Sequence, residues 1–221
     1  MTTQTYKLTT TQDIGSALLL GVGLTTAAFV IGHSFGWIKQ VNWLEIFAVT
    51  TSYTCTWLVV RQRRYNYIFG AASTAAYAVL FWQTGLVASA LLNAYLTPQL
   101  VYGWFRWRRD TTTRPVTRLV NEPWWILAYL GVTALAYCGG VYLITALGGA
   151  MPWFDGAILA GSILAQYLLD NKRIETWIIW AVVNVLAIWV YFSNGLVLAG
   201  IQYIIFLINA GFGYAQWRRT L

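Results

Sequence analysis

The sequence predicts an all-α membrane protein with eight transmembrane helices, namely one extra N-terminal helix and a core of three, one and three helices. Three observations predict this fold. Apolar residues make up 58% of the 221 residues and charged residues 10%, whereas a soluble domain carries about 25% charged residues. Long apolar runs recur along the whole chain. Residues 43–109 also resemble residues 153–219 at a constant offset of 110. Lipid is therefore the expected solvent.

The length of the apolar runs defines the spans. A helix needs about 20 mainly apolar residues to cross a bilayer. The stretches that meet or approach this length are 14–36, 43–61, 66–82, 85–107, 123–148, 153–170, 175–193 and 196–217. Glycine-containing turns, Gln83-Thr84-Gly85 and Ser193-Asn194-Gly195, join two pairs of spans so closely that their short members must also cross. The first run is too long for the apolar region of a signal peptide and is interpreted as a retained span.

Lysine and arginine predict the orientation. With eight spans, one side of the membrane holds every one of the 14 Lys and Arg residues except Lys39. The positive-inside rule makes that side cytoplasmic, so both termini are expected inside the cell. The net charge of +7 thus reflects membrane topology and does not indicate a nucleic-acid partner. The cations on the cytoplasmic side are Lys7, Arg61, Arg63, Arg64, Arg106, Arg108, Arg109, Arg114, Arg118, Lys172, Arg173, Arg218 and Arg219.

An internal repeat organises the core. The landmarks that align at the offset of 110 are Trp43 with Trp153, Glu45 with Asp155, Arg63 with Arg173, Gly103 with Gly213, and Trp107-Arg108-Arg109 with Trp217-Arg218-Arg219. Each repeat holds three helices, and the connecting helix 123–148 makes both repeats cross in the same direction. This is the parallel-repeat plan of the SWEET sugar carriers, in which the substrate site lies near the membrane midplane between the repeats.

The repeat divides the chain into four parts. Residues 1–41 form the N-terminal tail and extra helix, and residues 42–109 form the first repeat. Residues 110–152 hold a cytoplasmic linker and the connecting helix, and residues 153–221 hold the second repeat and a basic C-terminus. The long loop 106–122 is basic and rich in threonine, and we interpret it as a cytoplasmic tether.

The pattern Trp177-x-x-Trp180-x-x-x-Asn184 places two indoles and an amide on one helix face. Two large rings can stack on a planar ligand, including a cationic ring such as pyridinium. The amide can donate to and accept from hydroxyls or a carboxamide. The alternative is a tryptophan belt combined with an asparagine that hydrogen-bonds between helices.

Further uncharged polar side chains lie at comparable depth in both repeats, which suggests a shared central pathway. The alternative is that they only bind helices to one another. These residues are Thr74, Asn93 and Gln99 in the first repeat and Gln202, Tyr203 and Asn209 in the second. By contrast, Asn42-x-x-Glu45 is interpreted as a structural capping box, with Asp155 at the position equivalent to Glu45.

The motifs that are missing narrow the function. The sequence has no phosphate-binding glycine loop and no His-Glu-x-x-His zinc site, so we expect no cofactor, no metal and no enzyme activity. The acidic residues lie near helix ends or in loops, which disfavours a proton relay. Cys55 and Cys138 are expected to be free thiols packed like small apolar side chains. Facilitated diffusion of a neutral or delocalised-cation solute fits this pattern.

Four segments resemble the PnuC family of nicotinamide riboside transporters over residues 42–219. They are Asn42-Trp43-Leu44-Glu45, Asn66-Tyr67-Ile68-Phe69-Gly70, Tyr102-Gly103-Trp104-Phe105-Arg106-Trp107 and the segment from Glu175 to Asn184. The resemblance implies a SWEET-like homotrimer in the bacterial inner membrane. It also implies facilitated uptake of nicotinamide riboside, a form of vitamin B3, for NAD biosynthesis, made one-way by a cytosolic riboside kinase.

The resemblance also implies which residues bind the substrate. The binding residues of the family carry over to Trp177, Trp180 and Asn184, and Tyr203 fits the family pattern in the last helix. This chain differs from many relatives in having Asn93 for Gln, Gln202 for Glu and Thr176 for Asn. Related branches carry thiamine or riboflavin, and these two vitamins are the alternative substrates.

Overall fold

The computed structural model describes residues 9–38, 41–108, 115–119, 123–149, 151–193 and 197–221. Within these ranges the chain forms eight α-helices whose bounds differ from the predicted spans by at most four residues. Each predicted span is therefore confirmed as a helix. The helices are α1 (Thr10–Ser34), α2 (Trp43–Val60), α3 (Asn66–Gln83), α4 (Val87–Arg108), α5 (Pro123–Ala146), α6 (Pro152–Asp170), α7 (Thr176–Ser193) and α8 (Val197–Arg218).

Four of these helices, α1, α2, α5 and α7, are long and apolar enough to cross a membrane by themselves. The other helices of the described ranges also have 18 residues or more. In α4, Asn93, Pro98 and Gln99 interrupt the apolar sequence. Helix α7 has the same length as α3 and a higher mean hydropathy.

The helix ends follow local capping rules, with one correction. Helix α1 begins at a complete capping box between Thr9 and Gln12. At α2, the Asn42 side chain caps the backbone N–H groups of Leu44 and Glu45, at 3.0 and 3.3 Å. The return bond from the Glu45 side chain to Asn42 is not formed, so the capping box expected there is only half present. The Glu45 carboxylate is left available to face the bundle interior.

One of the two expected glycine turns is described. Gly85 has a φ of +76°, a conformation that glycine adopts without strain, and it ends α3 as predicted. In the second turn, Ser193-Asn194-Gly195, positions 194 and 195 lie outside the described residues. Linker positions 109–114 and 120–122 also lie outside them.

The helices pack as two groups of three with one helix on the outside of each. Helices α2, α3 and α4 form the first group, and α6, α7 and α8 form the second. The groups meet where α2 packs on α8 and α4 packs on α6. Helix α1 packs on α2, and α5 packs on α6. Both outer helices therefore lie beside the first helix of the group that follows them in sequence.

Helix α1 is fixed to the bundle at its start and along its length. The buried Asp13 carboxylate, 1% exposed, accepts hydrogen bonds from Arg61 and Arg63 beyond the end of α2. A Cβ at Gly21 would lie 2.8 Å from the Thr50 carbonyl oxygen, so glycine is needed for the close approach of the two helices. Helix α1 is thus an integral part of the described bundle.

The Lys and Arg residues of the described ranges lie at one end of the bundle, where α1, α3, α5 and α7 begin and the other helices end. We call this the basic end. Four of the cations used to predict orientation lie outside the described residues, namely Lys7, Lys39, Arg109 and Arg114.

Part of the linker is bound to the basic end. Thr117 exchanges backbone hydrogen bonds with Lys172 and Ile174 in the α6–α7 turn, at 3.1 and 3.0 Å. The backbone N–H of Leu119 donates to the Glu175 carboxylate at 2.8 Å. Val116 is buried in the core. The loop was interpreted as a cytoplasmic tether, and its residues 115–119 pack against the second group of helices.

Candidate functional site

A cavity of about 290 Å³ lies between the two groups of helices. This volume is just below the range of about 300–1,000 Å³ that is usual for small-molecule pockets. Its lining comes from α1, α2, α3, α4, α6, α7 and α8. A cavity between helices of a bundle is an expected place for a ligand site, and here it lies where the repeats were predicted to meet.

The Trp-x-x-Trp-x-x-x-Asn pattern lies on the cavity wall, as its helical spacing predicts. Trp177, Trp180 and Asn184 all line the cavity. Trp177 and Asn184 are only 4% and 3% exposed, whereas Trp180 is half-buried. Because three successive turns of α7 present these groups to one space, two rings and an amide can act on the same ligand.

The Trp177 ring is held firmly while its polar atom is free. The ring packs edge-on against Trp217 with the centroids 5.4 Å apart. A Cβ at Gly213 would lie 2.4 Å from the same ring, so only glycine leaves room for it. The buried indole nitrogen Nε1 has no hydrogen-bond partner in the described part of the chain. A buried N–H without a partner costs about 1–3 kcal/mol, which a ligand acceptor in the cavity would offset.

A row of aromatic rings extends the wall from α7 to α2. Tyr191 stacks on Tyr203 at 5.1 Å between centroids. Tyr203 meets Phe206 edge-on at 5.6 Å, and Phe206 meets Tyr53 edge-on at 5.8 Å. All four residues line the cavity. These rings offer flat surfaces and ring edges to a planar ligand.

Four more predicted polar residues line the cavity but already have partners. The Gln202 carbonyl oxygen accepts from the Tyr77 hydroxyl at 2.9 Å. The remaining bonds join Asn93 to the Ser89 carbonyl at 2.8 Å, Thr74 to Thr97 at 2.9 Å, and Asn209 to the Thr56 carbonyl at 3.3 Å. Gln202, Thr74 and Asn209 therefore face the cavity and also bond to another helix, whereas the Asn93 bond lies within α4.

Gln99 is the predicted site residue that the structure places elsewhere. Its amide donates to the Asp170 carboxylate at 2.8 Å, and it is absent from the cavity lining. Its neighbour Leu100 faces the cavity instead. A rotation of about 100° per residue separates the two side chains, which is enough to change what a helical residue contacts.

The cavity wall includes residues that sequence reasoning missed. Tyr77 follows Thr74 by three positions, and Gln166 follows Ser162 by four, so each pair shares a helix face. This spacing was a usable signal. Phe206 follows Tyr203 by three positions and Tyr191 follows Asn184 by seven, so the same signal marks both, whereas none marks Tyr53.

The charge of the cavity lining is sparse. Glu45 is the charged side chain of the described residues that lines the cavity, and the lining includes neither Lys nor Arg there. Glu45 was expected to be structural, and its side chain is exposed in the isolated chain. A wall with one carboxylate and no cation suits a neutral or positively charged solute better than a phosphate ester.

Four buried rings pack against one another at the basic end, and one of them, Trp177, lines the cavity. We call Tyr67, Trp107, Trp177 and Trp217 the ring plug. Tyr67 meets Trp107 edge-on at 5.2 Å, and the two rings Trp107 and Trp217 are 6.4 Å apart between centroids.

Cys55 lines the cavity and is a free thiol, as predicted. Cys138 is also free but is exposed on α5, so its expected packing is wrong.

Comparisons with known proteins agree with this architecture. A family described as nicotinamide mononucleotide transporter matches residues 42–219. The nicotinamide riboside transporter PnuC of Neisseria mucosa is 29% identical over 218 residues, covering 92% of this chain and 80% of that protein. The riboflavin/roseoflavin transporter RibM of Streptomyces davaonensis is 27% identical over 138 residues, covering 60% of this chain and 64% of that protein.

A solved structure described as the crystal structure of the vitamin B3 transporter PnuC superposes with a TM-score of 0.72 at 25% identity. The match covers 97% of this chain and 93% of that chain. The similarity therefore extends over all eight helices, including α1.

Proposed function

The chain belongs to the nicotinamide mononucleotide transporter family, and on this premise we propose that it carries nicotinamide riboside into the cytoplasm by facilitated diffusion. It is a multi-pass membrane transporter and not an enzyme. The observation that carries the choice of substrate is the cavity between the two helix groups. This cavity offers two indoles, the Asn184 amide and an unpaired indole N–H, but no cationic side chain in the described part of its lining.

The charge of the lining favours the riboside over the mononucleotide. A phosphate monoester carries about 1.5 to 2 negative charges at neutral pH and is usually bound by Arg, Lys or a helix N-terminus. The described lining holds neither Arg nor Lys, and its single acid is Glu45. The riboside lacks the phosphate and has a cationic pyridinium ring, which suits aromatic walls and a nearby carboxylate.

Each predicted site residue that lines the cavity then has a proposed role. Trp180 stacks on the pyridinium ring, and the Trp177 N–H donates to a ligand oxygen. Asn184 donates to and accepts from the carboxamide or a ribose hydroxyl. The Tyr203 ring adds a wall. The polar residues Gln202, Asn93, Asn209 and Thr74 surround the ligand, and Gln202, Asn209 and Thr74 also hold neighbouring helices in register.

The proposal includes the membrane topology and the repeat. All eight helices span the bilayer as one extra helix and two parallel three-helix repeats joined by α5, in a SWEET-like arrangement. A helix of 18 residues is about 27 Å long, close to the thickness of the hydrocarbon core. The concentration of cations at the basic end supports a cytoplasmic position for that end and for both termini in the bacterial inner membrane.

Two further features are implied by the family resemblance alone. We propose a homotrimer, which mass measurement of the protein in detergent tests directly. We also propose that a cytosolic kinase phosphorylates the riboside after entry. Transport itself would then need no energy source, and net uptake in proteoliposomes would stop at equal concentrations unless such a kinase and ATP were enclosed.

Riboflavin is the second candidate, because the chain also resembles RibM over 138 residues. This similarity covers less of the chain than the match to the nicotinamide riboside transporter. The volume of about 290 Å³ also suits a two-ring nucleoside better than a three-ring flavin with a ribityl chain. Thiamine, a two-ring cation, is the other alternative.

Calorimetry on purified protein tests the proposal. Nicotinamide riboside is titrated beside nicotinamide mononucleotide, nicotinamide, thiamine and riboflavin. We expect the riboside to bind at least about tenfold more tightly than each of the others, which corresponds to about 1.4 kcal/mol. Equal binding of the mononucleotide would contradict the charge argument. Preferential binding of thiamine or riboflavin would identify that vitamin as the substrate of the same cavity.

A further inference from the structure

A buried carboxylate lies at the basic end and belongs to none of the roles proposed above. Asp170 is the last residue of α6 and is only 2% exposed. Its oxygens accept from the Tyr67 hydroxyl at 2.8 Å, the Gln99 amide at 2.8 Å and the Gln166 amide at 2.9 Å. The Trp107 indole N–H also donates to its backbone carbonyl at 3.1 Å. Helices α3 and α4 of the first group therefore hold the end of α6 in the second.

The Asp170 carboxylate lies next to the cavity, on the side of the basic end. Gln166 and Leu169 of α6 line the cavity, within one turn of Asp170. Leu100 of α4 lines it as well, next to Gln99. Tyr67 belongs to the ring plug. A solute that leaves the cavity between α4 and α6 toward the basic end must therefore pass Asp170.

The fold does not require a charge at this contact. The residue 110 positions before Asp170 is Val60. In the equivalent contact of α8 with α2, Trp217 donates to the Val59 carbonyl at 3.3 Å, and Asn209 donates to the Thr56 carbonyl at 3.3 Å. That contact is made without a carboxylate. Burying a charge is costly even when it is hydrogen-bonded, so its presence on one side alone points to a function.

We propose that Asp170, Tyr67 and Gln99 form a latch that closes the cavity toward the cytoplasm, and that the Asp170 carboxylate attracts the cationic substrate when the latch opens. Separation of α4 from α6 breaks the bonds from Tyr67 and Gln99 and leaves the carboxylate on the exit path. A pyridinium ring then meets a negative charge in a medium of low dielectric constant, whereas a neutral solute of the same shape gains nothing. The charge selectivity rests on the proposed function, but the latch does not.

The latch is tested without any substrate by the reactivity of Cys55. Cys138→Ala leaves Cys55, which lines the cavity, as the single thiol. A membrane-impermeant thiol reagent is added to the basic face in oriented vesicles. Because each substitution removes a hydrogen bond that keeps the cavity closed, we expect Tyr67→Phe and Gln99→Leu each to raise the labelling rate about fivefold.

Tyr77→Phe is the matched control for the labelling. It removes a hydroxyl bond to Gln202 from the same helix but nearer the opposite end. We expect it to leave labelling from the basic face within about twofold of the parent rate. Unchanged labelling in both latch variants, or an equal rise in the control, would overturn the latch.

The charge role is tested by transport of two solutes of one shape. Nicotinamide riboside is a cation, and its reduced dihydro form is neutral. In proteoliposomes, Asp170→Asn is expected to lower the ratio of cation to neutral transport about tenfold. Asp155→Asn removes a carboxylate from the opposite end of the same helix and is expected to leave the ratio unchanged.

The outcomes separate the latch from the substrate. An equal loss of both solutes in Asp170→Asn, or no loss of either, would overturn the charge role. If the parent protein transports neither solute, the proposed function fails and the charge role fails with it, while Cys55 labelling still decides the latch. If Asp170→Asn does not fold, Tyr67→Phe keeps the charge and must then show faster labelling with an unchanged solute ratio.

Discussion

The contact of α4 with α6 and the contact of α8 with α2 use side chains that lie 110 residues apart in the sequence. In each contact an indole N–H donates to a backbone carbonyl of the facing helix, at 3.1 Å for Trp107 and 3.3 Å for Trp217. In each, the indole meets another ring edge-on, and that ring lies over a glycine. The frames are therefore alike, and their polar groups differ.

The two contacts differ in the hydrogen bonding of the ring that lies over the glycine. In the α4–α6 contact, the Tyr67 hydroxyl is bonded to Asp170. In the α8–α2 contact, the Trp177 N–H has no partner in the described residues and belongs to the cavity wall. By our proposals, one packing frame serves closure on one side and ligand binding on the other. Substitutions at paired positions can test this division.

The largest contrast is expected between Trp177→Ala and Tyr67→Ala. Loss of the Trp177 ring and donor should weaken riboside binding about 100-fold, or about 3 kcal/mol. Both variants remove a buried aromatic ring and should lower the free energy of unfolding by about 3–5 kcal/mol, but Tyr67→Ala should leave the riboside affinity of the folded protein nearly unchanged. Calorimetry and thermal unfolding measure the two effects. Equal loss of affinity in folded samples of both variants would erase the contrast.

The next contrast concerns the buried charge. Asp170→Val places at the α4–α6 contact the residue type that Val60 provides at the equivalent position. It leaves the side-chain donors of Tyr67, Gln99 and Gln166 without their acceptor. We expect a loss of about 3 kcal/mol in the free energy of unfolding, since each unsatisfied buried group costs about 1–3 kcal/mol. Ile158→Val, which trims a buried side chain on the same helix, is the control, with an expected loss of about 1 kcal/mol. Similar unfolding temperatures for the two variants would contradict the role of the hydrogen bonds.

The two glycines give a smaller and more specific contrast. An added Cβ would lie 2.1 Å from Tyr67 at Gly103 and 2.4 Å from Trp177 at Gly213. Both alanine variants should lose about 1–3 kcal/mol of stability through overpacking. Only Gly213→Ala should also weaken riboside binding, about tenfold, because it displaces a ring of the cavity wall. Gly131→Ala, which meets no atom within 4 Å, serves as the control for both measurements.

The smallest contrast is between Gln99→Leu and Asn209→Leu. These residues occupy equivalent positions, but Gln99 is bonded to Asp170 and Asn209 lines the cavity. Each variant should lose about 1 kcal/mol of stability. Riboside affinity measured by calorimetry should fall only in Asn209→Leu, by about fivefold. A fall in both would mean that Gln99 also reaches the ligand.

The helices and the cavity-lining Trp-x-x-Trp-x-x-x-Asn pattern were predictable because each depends on residues close in sequence. Apolar runs identify the helices, and the period of 3.6 residues places Trp177, Trp180 and Asn184 on one face. The latch was not predictable in this way. Asp170 reads as an ordinary helix-end acid until α3 and α4 are placed beside it, because its partners lie 103 and 71 residues away.

The packing of the outer helices α1 and α5 also could not be predicted from residues close in sequence. The sequence marks α1 as an extra helix but does not show that it packs on α2 as α5 packs on α6. It also does not show that Thr25 and Phe29 of α1 line the cavity. Contacts of this kind depend on the close approach at Gly21 and on the Asp13 bonds, which join positions remote in sequence.

The sequence by itself determined the membrane environment, the helix positions, the repeat landmarks and the face of α7 that carries the two indoles. These are consequences of composition and of helical period, which are local properties. The tertiary structure alone decided that Gln99 turns to Asp170 while Asn209 faces the cavity, that Glu45 joins the wall, and that Asp170 is buried. The physical reason is that a helical period specifies a face, whereas the neighbour that covers this face is set by packing between distant segments.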